Sequence, residues 1–203
     1  MADIKINEKL VVSQTGTAEP ILASNVDLSS VTGIPAAGIT GVLPVGVTGG
    51  SGLDAVDETY MHVRDEKPSG TNGGATIVGT SIRDLNTVVF NGITGASLSS
   101  NQVTLPIGTY RIIAYAPARQ NRNKTWLYNV TASSNQLIGL SLYAGTSVTL
   151  PGIVVGRFTI TTQSVFELKQ YIQTADSSQG AGVYSGVSGM VEVFSSLEIY
   201  KER

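Results

Sequence analysis

Residues 54–203 carry strand patterns and no helical one, and this limits what the chain can fold into more than any other feature. Within 164–174, Phe166, Leu168 and Ile172 share one parity while Glu167, Lys169 and Tyr171 share the other, the period of two of a strand with one buried face. Near the C-terminus the same pattern expects Val191, Val193, Leu197 and Ile199 on one face and Glu192, Glu198 and Tyr200 on the opposite one. Segments 109–116 and 125–131 are rich in β-branched and aromatic types, and Gly- and Ser-rich clusters at 68–74 and 177–182 read as turns. Short strands, Gly-rich turns and no crossover helix predict an antiparallel sandwich or barrel.

The N-terminal part has a different texture. Residues 1–30 alternate weakly, through Ile4 and Ile6 and then Leu10, Val11 and Val12, and read as a short strand or an arm that orders on a partner. Residues 31–53 divide into octads, with Val31-Thr32-Gly33, Ile39-Thr40-Gly41 and Val47-Thr48-Gly49 recurring at a spacing of eight and no charge between Leu28 and Leu53. Pro35 and Pro44 remove ladder donors, Gly supplies turn geometry, and a lone copy buries nothing. Copies of the segment around an axis would bury Val31, Ile34, Ile39, Val42 and Val47 against one another. A flexible linker is the plainer reading, but plain linkers favour Gly and Ser over Val and Ile. All aromatic residues fall in 54–203, so the core is expected there.

Composition excludes several classes. Net charge is −2, so there is no basic field for nucleic acid. With no cysteine, disulfides, thiolate chemistry and sulfur-ligated zinc are ruled out. The tract 28–53 is broken by proline and glycine, far from the roughly 20 apolar residues of a membrane helix, and MADIKINEKLVV lacks the basic start and apolar core of a secretory signal. Charged residues make up 14% against an ordinary value near 25%, so apolar surface between subunits is expected.

The segment SSNQVTLPIGTYRIIAYAPARQNRNKTWLYN, at 99–129, with VFELKQY and the ending EVFSSLEIYKE, resembles a jelly-roll module at the ends of phage fibre proteins, itself similar to the globular heads of complement and tumour-necrosis-factor-like proteins. The matching residues are Pro106, Gly108 and Tyr110, then Leu127, Tyr128 and Asn129. The octads look like the connector common upstream of phage tail-fibre heads. What the resemblance implies is an all-β antiparallel jelly-roll sandwich in a homotrimer: an N-terminal attachment arm (1–30) contacting other virion proteins, an extended interwoven connector (31–53) and a head (54–203). The implied location is the virion, assembled in the host cytoplasm.

No catalytic, cofactor or metal site is expected. His62 is the only histidine, so a Ser-His-Asp arrangement would depend on it alone. Asp54, Asp57, Glu58, Asp65, Glu66 and Asp84 read as solvated charge at the junction and the first turn, and no EF-hand, P-loop or HExxH motif is present. Recognition is expected in loops. In a jelly roll whose termini share one end, the segment 118–124 and the loop 175–189 fall at the other, making Arg119, Asn121, Arg122, Lys124 and Tyr184 the candidate contacts to a host-surface glycan or protein. The functional expectation is a trimeric fibre or spike that attaches to the host surface. The alternatives are a head fibre or capsid decoration protein with no receptor role and, least favoured, a small carbohydrate-active enzyme.

Overall fold

The computed structural model describes residues 4–6, 9–13, 21–22 and 59–202, which fall in two compact units, Met1–Asp54 and Ala55–Arg203. In the first unit β1 (Ile4–Ile6), β2 (Lys9–Ser13) and β3 (Ile21–Leu22) form an antiparallel sheet in that order. The octads, with Val31, Ile34, Ile39, Val42 and Val47, lie outside the described residues.

The second unit is built from β4 (Thr59–Lys67), β5 (Gly79–Ile82), β6 (Thr87–Asn91), β7 (Ser97–Ser99), β8 (Gln102–Leu105), β9 (Gly108–Asn129), β10 (Ser134–Ile160), β11 (Ser164–Ile172) and β12 (Glu192–Glu202). No helix occurs among the described residues. Register divides the hairpin β9–β10 between two sheets. Residues 109–115 of β9 pair with β12, whereas 123–129 pair with β11. Strand β10 follows β9 through both halves. The first sheet therefore runs β6-β4-β12-β9-β10 and the second β10-β9-β11-β8-β7, with β5 on the far part of β11. All pairings are antiparallel, and the result is a jelly-roll sandwich.

The segment 118–124, expected as a loop, is instead the corner at which β9 crosses from one sheet to the other. Gln120 and Asn121 take left-handed φ of 58° and 59°, and Ser147, at 66°, turns β10 beside a register shift between Ala144 and Thr149. Asn, whose short side chain bonds locally, tolerates this region better than most residues, which suits Asn121 to the turn. The corner and the loop 173–191 occupy the end of the sandwich remote from Thr59 and Glu202, joined by the Arg119 N–H to the Gly180 carbonyl (3.0 Å) and the Gln173 N–H to the Arg122 carbonyl (3.0 Å).

Between the sheets lie Met61, Val63, Ile112, Val154, Leu197 and Ile199 from the first and Val103, Leu105, Leu127, Phe166 and Leu168 from the second. Phe158 bridges them, its ring 5.7 Å from Tyr110 and 5.3 Å from Phe166. The Pro106-x-Gly108-x-Tyr110 pattern has a local cause. The Tyr110 ring is fully buried and its hydroxyl donates to the Pro106 carbonyl at 2.6 Å, closing the entry of β9 on itself. Burial pushes the Tyr110 phenol up to about 12. Leu127 fills the core, Tyr128 faces outward under the Lys169 ammonium (3.5 Å), and the buried Asn129 accepts from the Ala132 N–H (2.9 Å) to cap the turn into β10.

Two further expectations are corrected. The C-terminal run does not keep one face. Strand β12 carries one extra residue between Val193 and Ser196, so Glu192 and Phe194 are buried while Val191 and Val193 are exposed, and the expected parity holds only from Leu197 onward. Asp65, expected as solvated charge, is 1% exposed: Lys67 and Asn86 meet its Oδ1 at 3.1 and 2.8 Å. Desolvation raises its pKa. Arg83 is buried nearby, donating to Gln170 Oε1 (3.3 Å) and the Ala181 carbonyl (3.0 Å), and Gln170 in turn donates to the Ala116 carbonyl (3.0 Å) and Thr125 Oγ1 (3.2 Å). This polar network ties the two sheets to the loop 173–191. Its members are far apart in sequence, so no local pattern announces it.

Candidate functional site

The five candidate contact residues divide by what their side chains do. Arg119 faces inward across the corner and donates from Nη1 to Asp176 Oδ2 (3.1 Å) and to Gln179. Backbone N–H groups of Ser178 and Gln179 hold the Asp176 carboxyl below the usual carboxylate range, and Arg119 reinforces this. Asn121 is likewise engaged, donating to Thr174 Oγ1 at 2.6 Å. Tyr184 is 44% exposed, and its N–H donates to Asn72 Oδ1 (3.1 Å). The loop around it is pinned by Glu192, whose carboxylate accepts from the N–H groups of Ser185 (2.9 Å), Gly70 (3.3 Å) and Gly186 (3.4 Å) and is held below its ordinary pKa by them. Arg119 and Asn121 are thus fastenings of the remote end.

Arg122 and Lys124 are placed differently. Beyond the corner β9 lies in the second sheet with Asn123, Thr125, Leu127 and Asn129 buried, so Arg122, Lys124, Trp126 and Tyr128 point out. Across the ladder Tyr143 stands opposite Arg122, Tyr171 opposite Lys124, and Ile138 opposite Trp126. These side chains line two adjoining hollows of about 430 and 400 Å³ that share Lys124 and Tyr171. Tyr143 is 67% exposed, Ile138 62% and Tyr171 41%. No carboxylate lines either hollow, and neither the Arg122 nor the Lys124 side chain has an acidic partner among the described residues. The one cation–carboxylate pair nearby, Lys169 with Glu167 (3.4 Å), lies on β11.

Sequence reasoning found the two cations of this groove and missed its aromatic residues. The available signal was parity: Trp126 and Tyr128 alternate with the core residue Leu127, which places two large rings on the solvent side of a strand.

The outer face of the first sheet is also aromatic. Tyr60 lies 6.0 Å from Phe90, nearly parallel, and 4.9 Å from Tyr200, with the Arg111 guanidinium 4.3 Å over the Tyr200 ring. The Tyr200 hydroxyl donates to Glu198 Oε2 (2.7 Å), which pushes its pKa up to about 12. Phe90, Val155 and Tyr115 are 55%, 61% and 40% exposed. His62 belongs to this face, half-buried, with Nε2 2.9 Å from Ser196 Oγ and Glu198 in the paired position on β12. The contact brings a serine to the lone histidine, and the Glu198 carboxylate across the ladder accepts from the Tyr200 hydroxyl. Desolvation holds the His62 pKa below its ordinary value.

No family model matches the sequence, and no curated protein matches it. Solved structures similar to the chain include murine APRIL at pH 5.0, 8% identical over 71% of this chain and 98% of that one with a TM-score of 0.48. The globular domain of zebrafish complement 1qA protein is 11% identical over 71% and 97%, with a TM-score of 0.46. Eiger TNF from S. frugiperda is 10% identical over 72% and 93%, with a TM-score of 0.49.

Proposed function

We propose that the chain is the subunit of a homotrimeric phage fibre or spike whose head attaches the virion to the host surface. The observation that carries this reading is the polarity of the head. Strand β4 begins at Thr59 and β12 finishes at Glu202 at one end of the head, while the corner 119–122 and the loop 173–191 converge at the other. An anchor on the N-terminal side then leaves that remote end presented outward. Self-association is supported by the first sheet, whose exposed Phe90, Tyr115 and Val155 form an apolar surface among ions already paired within the chain. Three heads on one axis would turn a weak single site into a strong attachment by avidity. Residues 1–30 would contact other virion proteins and the octads would align the subunits. Assembly would take place in the host cytoplasm.

Labelled protein incubated with a panel of bacterial strains tests the reading: adsorption to some strains, competed by unlabelled protein and accompanied by reduced infection, is the expected result. Trimers that adsorb to none would favour the second reading, a capsid decoration protein with a passive head. That reading draws support from the internal engagement of Arg119 and Asn121 at the remote end.

A further inference from the structure

We propose that the groove on the outer face of the second sheet, built from Arg122, Lys124, Trp126, Tyr143 and Tyr171, binds a carboxylated polysaccharide. The inference rests on the attachment reading and names its ligand class. Three observations converge on it.

The first is charge. Of the cations that the described residues place on the head, Arg64 and Lys67 meet Glu66, Asp65 and Asp84, Arg119 meets Asp176, Arg157 meets Glu202, and Lys169 meets Glu167. Of the rest, Arg83 is buried against Gln170 and Ala181, Arg111 lies over the Tyr200 ring, and Lys201 lines a hollow together with Glu202. Arg122 and Lys124, by contrast, have no carboxylate beside them among the described residues, although the chain as a whole carries a net charge of −2. Two unneutralised cations on one wall of a hollow without carboxylates create a local field opposite to the net charge of the protein, which favours an anionic occupant.

The second is the surface between the cations. Tyr143, Tyr171 and Trp126 sit on rigid strands and are held by ladder partners, with Tyr171 paired to both Lys124 and Thr80. A sugar ring has an apolar face of C–H groups and an equatorial rim of hydroxyls. Aromatic rings accept the face, and the hydroxyls of Thr80 and Ser141 and the amide of Asn135, all lining the same hollows, can meet the rim.

The third is form. The hollows adjoin and stay open along the sheet, which suits a chain of linked rings better than a compact ion. The guanidinium of Arg122 can take a carboxylate in two parallel hydrogen bonds, and the ammonium of Lys124 acts as a point charge beside it.

Trp126 is the only tryptophan of the chain, so its emission reports on this groove alone. The full-length protein should be titrated with oligogalacturonate and oligosialate, both carboxylated, and with neutral maltooligosaccharide. A saturable change in Trp126 emission with at least one carboxylated probe, weakened by salt and absent with the neutral one, is expected. K124E and R122E, on side chains with no acidic partner among the described residues, should each weaken it by about tenfold with unchanged far-ultraviolet circular dichroism. Y143A, at an exposed ring, should weaken binding to the same probe without altering its salt dependence. The proposal is overturned if neither carboxylated probe changes the emission, if maltooligosaccharide does so equally, or if K124E and R122E bind undiminished. It is also overturned if K124E changes the mass of the assembly, since the groove would then be a contact between subunits. Cell adsorption by the wild-type protein separates the two readings: adsorption retained by K124E and R122E removes the polysaccharide inference and leaves attachment standing, whereas no adsorption by the wild type removes attachment itself.

Discussion

The two outer faces of the sandwich use the same residue types to different ends. On the first sheet the charges are spent within the chain: Arg64 on Glu66, Arg157 on Glu202, Arg111 on the Tyr200 ring, and Glu198 on the Tyr200 hydroxyl. What remains exposed there without a polar partner is apolar, Phe90 and Val155, with the Tyr115 ring, beside the exposed but paired Arg157. On the second sheet Arg122 and Lys124 stand unneutralised among Tyr143, Tyr171 and Trp126. A surface whose polar groups are already satisfied loses little when it is desolvated against another copy of itself. A surface with unpaired cations would be costly to bury that way and suits an anionic ligand. The difference lies in pairing rather than composition.

The largest expected effect concerns what the faces share. Because Phe158 touches rings on both sides of one core, F166A in the second sheet and I199A in the first should each cost about 3–4 kcal/mol and lower the same unfolding transition. Two separate transitions in calorimetry would mean that the sheets fold independently, and the faces would then have to be treated as two modules.

Next comes the contrast itself. F90E places a charge at an exposed ring of the first face and should weaken self-association by roughly a hundredfold, since an uncompensated buried charge costs about 3 kcal/mol. Y171E, at an exposed ring of the second face, should leave the assembly intact. Sedimentation velocity over a concentration series checks both, and equal effects from the two substitutions would erase the distinction.

A smaller effect sharpens it. His62, on the first face, has a folded pKa below the ordinary 6.5 because burial disfavours its charged form. Below about pH 6.5 the unfolded chain takes up a proton that the folded chain resists, so this stability is complete above 6.5 and declines as the pH falls toward the folded pKa. The loss should stay below about 1 kcal/mol, because the ring is only half-buried and solvent screens it. H62Q should flatten the slope of melting temperature between about pH 7 and about pH 5, a window that brackets the ordinary histidine pKa of about 6.5. The second face has no histidine and should show no such slope in its ligand binding. The least effect is expected from R157Q, which removes an exposed pair with Glu202 and should leave the melting temperature unchanged within error.

Parity and turn composition made the all-β class and most strands legible in the sequence, since Phe166, Leu168 and Ile172 share the core face as expected, although Glu167 on the other face is also buried, under Gln102 and Lys169. The corner was not legible. Arg119 to Lys124 is polar enough to read as a loop, and only the pairing of β9 with β12 on one side and β11 on the other shows one continuous strand passing between sheets. The bulge in β12 also escaped, because Val191 and Val193 continue the parity of Leu197 and nothing local marks the added residue. At the candidate site Arg122 and Lys124 were found from their loop-like surroundings, whereas Tyr143 and Tyr171 come from strands distant in sequence and join them only through register. Asp65 and Arg83 were missed for the same reason: burial of a charge depends on partners such as Asn86 and Gln170 that no short window contains.

The central claim is that the first face joins three copies and leaves the second free, and the mass of the full-length protein in solution tests it most directly. Sedimentation equilibrium at micromolar concentration should return three times the mass of the chain, with the emission of Trp126 unchanged across dilution into monomer. A mass equal to one chain at every concentration would contradict the account.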